Sequence, residues 1–239
     1  MINKKEYSKM YEVEETHWWY KGLRYYLFYW INKYQPNKIL DAGCGTGINA
    51  SYLKNSGYDI AGIDFSVDSI SYSKKRGLEN IIQGEIQKLP YGHESFDLIY
   101  CMDVIGILND KDADSAVKEA HRCLTPGGIY IINAAALNYL FSAQDYAWHI
   151  KKRYSKNEIV NLLERNNFSI KKVTYRVFLL FPLVLISKYI NKNNKESDTD
   201  KTNFLLNFIF TPIMYFEFLI SKYFNLPIGS SIFVVAKKI

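Results

Sequence analysis

The chain has 239 residues, of which 48% are hydrophobic and 23% are charged, and it carries a net charge of +6. This length and balance predict one folded domain over residues 1–239 and exclude a disordered or fibrous protein. Nucleic-acid binding is not expected, because only six of the thirty basic residues are arginine and the lysines are scattered along the chain.

The cysteines and histidines bear on the compartment and on metal binding. Cys44, Cys101 and Cys123 are an odd number of cysteines in or beside predicted strands, and the first ten residues lack the apolar run of a signal peptide. Both observations predict a cytoplasmic protein. No CxxC motif occurs and the four histidines are far apart, so the sequence predicts no metal site.

The order of elements predicts the class of fold. Residues 1–35 mix charged and aromatic residues at helical spacing, which predicts two helices that form an N-terminal cover. After Lys38, strand-like and helix-like segments alternate, as in a parallel sheet with helices on both faces. The predicted strands are KILDAG, DIAGID, NIIQGE, FDLIYCMDVIGIL, GIYIINAAA, FSIKKVTYR and SIFVVAKK.

An apolar insertion, residues 177–229, precedes the last predicted strand and holds eight of the fourteen phenylalanines. Its two apolar stretches, 177–190 and 204–224, predict helices. Between them lies the polar run NKNNKESDTDKT, which predicts a loop or a disordered link.

The second apolar stretch predicts an amphipathic helix, with Glu217 and Ser221 together on one polar side. The opposite side of this helix is a wide apolar face. Three placements of this face are open: it packs on the domain, which we favour, it lies on a membrane surface, or it forms a homodimer. Its polar and proline positions disfavour a membrane-spanning helix. The apolar face consists of Phe208, Phe210, Ile213, Phe216 and Ile220, and the interruptions are Asn207, Pro212, Glu217 and Lys222.

A glycine-rich turn, DAGCGTG, follows the first predicted strand and opens a helix, so its backbone amides can approach a ligand closely. Its glycines follow the pattern GxGxG, and Ile48 comes next, so the spacing disfavours a dinucleotide site. Asp41 can accept a hydrogen bond from an ammonium group. Asp64, at the end of the second strand, can accept hydrogen bonds from both hydroxyls of a ribose.

Four segments, in the order ILDAGCGTG, AGID, GEIQKLPYGHESFDLIYC and LTPGG, resemble the class I S-adenosylmethionine-dependent methyltransferases. The resemblance covers about residues 1–176 and 230–239. It implies a Rossmann-like, doubly wound, mostly parallel seven-stranded sheet. The last strand is expected to be antiparallel, with helices before the sheet and a helical insertion before the last strand.

The resemblance also implies S-adenosylmethionine as the cofactor and assigns residues to it. The loop residues line the methionine part, Asp64 holds the ribose, and Glu85 with Ile86 faces the adenine. Glu85 stands where the family usually has Asp. The implied loop residues are Asp41, Gly43, Gly45 and Gly47, and Met102 with Asp103 closes the site at the tip of the fourth strand.

The run Glu14-Glu15-Thr16-His17-Trp18-Trp19-Tyr20, followed by Arg24, is similar to an N-terminal signature in a subset of these enzymes, where helices fold over the cofactor. Arg24 lies one helical turn after Tyr20 and is expected to pair with the cofactor carboxylate. Trp19 and Tyr20 are expected to exclude water. The alternative is that the tryptophans are hydrophobic cover and that Arg24 lies on the surface.

The segment after the fifth strand offers a candidate for acid–base chemistry. On a helix, Asp145, His149 and Arg153 would share one face at intervals of four. The segment resembles its counterpart in the same subset and is expected beside the transferable methyl group. We therefore predict His149, oriented by Asp145, as general base for an acceptor that must lose a proton. The alternative is a pair that only packs or caps.

The sequence thus predicts methyl transfer from S-adenosylmethionine to an oxygen or nitrogen of a small-molecule or lipid-like acceptor. Two alternatives remain open. One is a nicotinamide-dependent oxidoreductase on a similar sheet, and the other is a non-enzymatic, membrane-associated protein that retains the cofactor fold. Peripheral membrane contact or a homodimer would involve residues 177–229.

Overall fold

The computed structural model describes residues 4–190 and 204–239, and a seven-stranded sheet lies at its centre. The strand order is β3-β2-β1-β4-β5-β7-β6, and β7 is antiparallel to both of its neighbours, β5 and β6, whereas the other pairs are parallel. The predicted fold is therefore confirmed. The strands are β1 Lys38–Ala42, β2 Asp59–Asp64, β3 Ile81–Gln83, β4 Phe96–Met102, β5 Leu124–Ala135, β6 Phe168–Arg176 and β7 Ser231–Lys238.

Helices cover both faces of the sheet because alternate strand residues are apolar on both sides. In β4, Leu98 packs into one hydrophobic cluster and Ile99 into the other. The described helices are α1 Lys4–Val13, α2 Trp18–Tyr34, α3 Ile48–Asn55, α4 Val67–Lys75, α5 Asp110–Cys123, α6 Ala143–Ala147, α7 Lys156–Glu164, α8 Phe181–Ile190 and α9 Phe204–Tyr223.

Side-chain caps fix where several helices begin. The hydroxyl of Ser66 accepts a hydrogen bond from Ser69 N at the start of α4, and Asn109 accepts one from Asp112 N at the start of α5. Ser155 and Glu158 form a reciprocal capping box at the start of α7. Each cap therefore fixes the residue at which its helix begins.

Helix α9 packs against α2 through aromatic contacts. The ring centroids of Tyr25 and Tyr215 are 5.1 Å apart, and those of Tyr26 and Phe218 are 5.3 Å apart. The N-terminal helix α2 and the second helix of the insertion therefore form one layer over the sheet.

Polar residues of α9 face inward, which corrects the helical projection made from the sequence. Glu217 and Ser221, placed on a polar side, are buried. Glu217 accepts hydrogen bonds from the amides of Val177 and Leu179 at 2.7 and 3.0 Å. It thereby satisfies backbone donors that follow β6, which compensates for its burial.

The expected packing of the apolar face of α9 is only partly observed. Phe210 and Ile213 pack against a small buried cluster, but Phe208 and Phe216 are 71% and 58% exposed. Helix α9 is the one described helix long and apolar enough to cross a membrane by length and composition. The predicted polar link between the two stretches lies outside the described residues.

Candidate cofactor and acceptor site

The glycine loop between β1 and α3 has a backbone that larger residues would not fit. Gly43 has φ of 85°, and a Cβ there would lie 2.4 Å from Cγ2 of Val104. Gly45 and Gly47 also have positive φ, at 54° and 79°. The loop thus brings its amides to the carboxyl end of β1, where the sequence places the cofactor.

Asp41 lies at this carboxyl edge with its side chain buried. Its Oδ2 accepts a hydrogen bond from the hydroxyl of Tyr100 at 2.8 Å. Burial raises the pKa of Asp41 to about 8. A buried carboxyl with a raised pKa is suited to a cationic partner, because an ammonium group would restore the charged form.

Asp64, at the end of the neighbouring strand β2, is tied to the loop. Its Oδ2 accepts from the amide of Gly45 at 2.9 Å, and its Oδ1 accepts from the amide of Ser66 at 3.0 Å. Burial raises the pKa of Asp64, although these bonds oppose the rise. Each oxygen keeps a further lone pair that a ribose hydroxyl can use.

The remaining predicted cofactor residues lie along the same edge. Glu85 is exposed and accepts from the side chain of Gln87 at 3.2 Å, whereas Ile86 is buried in the core just after β3. Met102 is half-buried at the end of β4. Their contacts with a cofactor stay predictions.

The N-terminal cover is fastened over the loop by a buried carboxylate, Glu14, which begins the signature run but received no role of its own from the sequence. It accepts hydrogen bonds from the hydroxyl of Thr46 and from Arg76, the latter at 2.8 Å. Methyl Cε of Met10 lies 3.9 Å from where a Cβ of Gly45 would stand. Helix α1 therefore closes the glycine loop from above.

Arg24 is buried, so its alternative placement on the surface is wrong. Nη1 and Nη2 donate to the carbonyl oxygens of Glu14 and Glu15 at 2.9 and 3.0 Å, and the guanidinium lies over the ring of Tyr52. In this structure Arg24 thus holds the turn between α1 and α2. Its pairing with the cofactor carboxylate stays a prediction, as does water exclusion by the half-buried Trp19 and Tyr20.

The segment after β5 corrects the predicted common face of Asp145, His149 and Arg153. Helix α6 ends at Ala147, and His149 follows it with φ of 54° and an exposed side chain. The carboxylate of Asp145 pairs instead with buried Arg153, at 2.7 Å from Nη2. A helical interval of four applies only while the helix continues, and this helix is too short. The base role of His149 stays a prediction without Asp145 as its orienting partner.

A polar chain across three strand ends was missed by the sequence analysis, apart from Asp103. The side chain of Asn133 in β5 donates to Asp103 Oδ1 at 2.6 Å and accepts from Arg176 Nη1 at 2.9 Å. Asp103 has φ of 63°, and burial raises its pKa to about 6. The three residues lie 30 or more positions apart in sequence, and no motif links them.

Other chemistry finds little support within residues 4–190 and 204–239. No group of three or more potential metal ligands occurs in these ranges. Burial raises the pKa of the Cys44 thiol well above its ordinary value, which disfavours the nucleophilic thiolate.

Comparisons with known proteins agree with this geometry. Residues 40–132 match the family described as a methyltransferase domain. The phosphoethanolamine N-methyltransferase 3 of Arabidopsis thaliana is 34% identical over 122 residues, which make up 48% of this chain and 24% of that protein. The ubiquinone biosynthesis O-methyltransferase of Rickettsia prowazekii is 29% identical over 213 residues, or 75% of this chain and 83% of that protein. The chain spans less than half the length of several curated relatives that it matches.

A solved structure shares the fold over nearly the whole chain. It is a S-adenosylmethionine-dependent methyltransferase of Thermotoga maritima, described as a possible histamine N-methyltransferase. It aligns with a TM-score of 0.63 at 18% identity and covers 98% of this chain and 96% of its own. The matched family and the shared fold lead to one conclusion: residues 40–132 form a domain of this methyltransferase family, and the chain has the fold of S-adenosylmethionine-dependent methyltransferases.

Proposed function

We propose that this protein transfers the methyl group of S-adenosylmethionine to an oxygen or nitrogen of a small-molecule or lipid-like acceptor. The observation that carries the proposal is the joint placement of Asp41, Asp64 and the glycine loop at one edge of the sheet, where Asp64 accepts a hydrogen bond from the amide of Gly45 at 2.9 Å. Such an edge is where open α/β sheets bind their ligands.

The residues present fit the cofactor part by part. Asp41 would pair with the ammonium group, the loop amides would line the methionine part, and Asp64 would accept from the ribose hydroxyls. When bound, the cofactor would supply a methyl group activated by its sulfonium, so that the acceptor oxygen or nitrogen would bond to this methyl as the carbon–sulfur bond breaks and S-adenosylhomocysteine leaves. The protein mainly contributes proximity and orientation to such a step.

The acceptor would lie over the carboxyl ends of β4, β5 and β6, beneath α2 and α9. Related proteins bear names for both nitrogen and oxygen methylation, so both remain within the proposal. His149 is our candidate base where the acceptor must lose a proton, and Asp103 lies closer to the strand ends.

We also propose that the protein is cytoplasmic and touches a membrane surface through the exposed residues of α8 and α9, here named the insertion face. Large apolar side chains seldom gather on a free surface without a partner, and the positive net charge favours anionic lipid. Burial of Glu217 against the domain supports surface contact over spanning. The insertion face consists of Leu183, Leu185, Ile186, Phe204, Leu206, Phe208, Ile209, Tyr215, Phe216 and Tyr223.

Isothermal titration with S-adenosylmethionine and S-adenosylhomocysteine tests the cofactor site. Micromolar binding, about 8 kcal/mol, is expected. Asp64→Ala should weaken it by about 1.5–3 kcal/mol, because the ribose hydroxyls lose a buried acceptor. Asp59→Ala, at the exposed opposite end of β2, is the matched control and should bind like the parent. Tighter binding of NADH, or an unaffected Asp64→Ala, would contradict the proposal, and transfer of labelled methyl to candidate acceptors tests the activity itself.

A further inference from the structure

Arg176 is the last residue of β6 and lies at the carboxyl edge of the sheet. Its partner across the ladder is Ser231, which also pairs with Ala135 at the end of β5. A Cβ at Gly229 would lie 2.0 Å from the Arg176 carbonyl oxygen, so the returning chain passes very close to this backbone. The guanidinium is therefore anchored where the proposed acceptor would bind.

One edge of this guanidinium has no hydrogen-bond partner within residues 4–190 and 204–239. Nη1 donates to Oδ1 of Asn133 at 2.9 Å, but Nε and Nη2 donate to no atom of these residues, and the side chain is fully buried. Buried charged donors are nearly always satisfied in folded proteins, so an empty pair of donors requires an explanation.

The other arginines show what such an edge binds. All six lie in the described ranges, and each of the other five donates from Nε or Nη2 to a carboxylate or carbonyl oxygen. Arg153, also buried near this edge, directs both atoms at Oδ1 of Asp145, at 3.0 and 2.7 Å. Arg176 presents the same edge, and no carboxylate of the described residues accepts a hydrogen bond from it.

The nearest carboxylates do not fill this position. Glu217 and Asp103 are close enough to influence the charge of Arg176, but neither is hydrogen-bonded to it. Glu217 accepts from two backbone amides and from the Tyr26 hydroxyl, and Asp103 accepts from Asn133. Both carboxylates stabilise the charged guanidinium, but neither accepts a hydrogen bond from Nε or Nη2.

We propose that the Nε and Nη2 edge of Arg176 binds two oxygens of a carboxylate or phosphate group on the methyl acceptor. This inference rests on the proposed function, since the ligand is its acceptor. The parallel N–H groups of a guanidinium match two oxygens of either anion, and an ammonium group does not offer this geometry. Asn133 would then set the distance between the anionic group and the end of β4 at Asp103.

The aromatic residues above Arg176 supply a readout. The guanidinium lies 5.5 Å from the centroid of the Trp19 ring and 5.2 Å from that of Tyr26. Because Arg176 is completely buried, an acceptor reaches it only when such side chains move aside. Binding should therefore change tryptophan fluorescence, and Trp19→Phe should reduce that change.

The test uses the full chain saturated with S-adenosylhomocysteine and titrated with benzoate, phenyl phosphate or the neutral benzamide. We expect one or both anions to bind at least tenfold more tightly than benzamide, and their order distinguishes carboxylate from phosphate. Arg176→Lys should weaken anion binding at least tenfold without affecting S-adenosylhomocysteine. Arg153→Lys is the matched control, because the edge of that buried arginine is already occupied, and it should leave anion binding unchanged.

Arg176→Gln provides a second variant if the lysine variant does not fold. The inference is overturned if neither anion binds better than benzamide to the parent, or if both Arg176 variants bind the anions like the parent. A parent that does not bind S-adenosylhomocysteine contradicts the proposed function instead, so the two failures are distinct.

Discussion

Three carboxylates lie at the carboxyl edge of the sheet, and desolvation by the surrounding protein raises the pKa of each: Asp41, Asp64 and Asp103. Ionising a carboxyl group that has lost its hydration costs free energy, so these residues weaken the fold near neutral pH. A bound cationic ligand would stabilise the ionised form of Asp41 and so offset this cost. The site residues therefore favour ligand binding at the expense of stability, which is common in active sites.

Asp41→Asn should make the unliganded protein more stable at pH 8.5 but not at pH 5. The pKa of Asp41 is about 8 in the folded protein and near 3.8 when exposed, so the folded state binds this proton more tightly. Stability linked to Asp41 therefore increases as the pH falls from about 8 towards 4. Asparagine removes this titration and can still accept from the Tyr100 hydroxyl.

Denaturant unfolding of parent and variant at several pH values measures the effect of Asp41. Asp114 serves as an internal check, because its hydrogen-bond partners lower its pKa to about 2. The stability that Asp114 contributes is therefore lost only at a more acidic pH than the range in which Asp41 titrates. Stability curves that run parallel for parent and Asp41→Asn between pH 5 and 8.5 would contradict the assignment.

Asp145 and His149 should respond differently to substitution. Asp145→Asn should destabilise the fold by about 3–5 kcal/mol, because it leaves the buried guanidinium of Arg153 without a carboxylate. His149→Ala should not lower stability, because the side chain is exposed. If His149 acts as general base, its loss lowers the rate about 10² to 10⁴-fold at unchanged donor affinity. Thermal unfolding and single-turnover kinetics separate these effects, and equal rates would assign His149 no catalytic role.

At the scale of elements, α9 shows why a helical projection can misplace a charged residue. The projection assumes that a carboxylate faces solvent, but Glu217 accepts from backbone amides that follow β6. Asn207 acts similarly, since it accepts from the amide of Trp18 at the start of α2 at 3.0 Å. Both partners come from distant parts of the chain, so the pattern of α9 alone does not reveal them.

The insertion face should bind anionic lipid, and Phe208→Asp with Phe216→Asp should abolish this. Both rings are mostly exposed, so the double variant should keep the melting temperature and the cofactor affinity of the parent. Val67→Asp, an exposed apolar position on α4, is the matched control and should still float. Flotation with vesicles of anionic and of zwitterionic composition measures binding.

Two results would contradict lipid contact by the insertion face. A lower melting temperature of the double variant would mean that Phe208 and Phe216 pack internally. A parent dimer that dissociates on substitution, seen by sedimentation, would mean that a second copy covers the face. In either case, the parent protein should also fail to float with anionic vesicles.

For the whole molecule, the sequence predicts what local patterns encode and misses what distant segments build together. The alternation of elements predicted the sheet, and the glycine loop predicted its binding edge, because each signal lies within about thirty residues. Two contacts form only because the fold brings distant segments together, and no spacing in the sequence predicted them. They join Glu14 with Arg76 and Asn133 with Arg176. The cofactor site is thus more predictable than the cover and the acceptor side.

The N-terminal cover should control how fast the cofactor enters and leaves, and Arg76→Ala should speed both steps. Arg76 joins α4 to the cover, because Nη2 donates to Glu14 at 2.8 Å and the guanidinium lies 4.2 Å from the Tyr11 ring centroid. The cover closes the glycine loop, so it must open for exchange. Losing an ion pair whose carboxylate is buried favours the open state, and dissociation of S-adenosylhomocysteine should accelerate at least tenfold.

Stopped-flow displacement of S-adenosylhomocysteine, followed by tryptophan fluorescence, measures the rate set by the Arg76 contact. Lys74→Ala, an exposed position in the last turn of α4 two residues before Arg76, is the matched control and should exchange like the parent. Proteolysis of the first seventeen residues should also be faster in Arg76→Ala and should slow when ligand is bound, because ligand and cover stabilise each other. Unchanged dissociation, together with cleavage at the parent rate, would show that the cofactor exchanges by a route that leaves this cover closed.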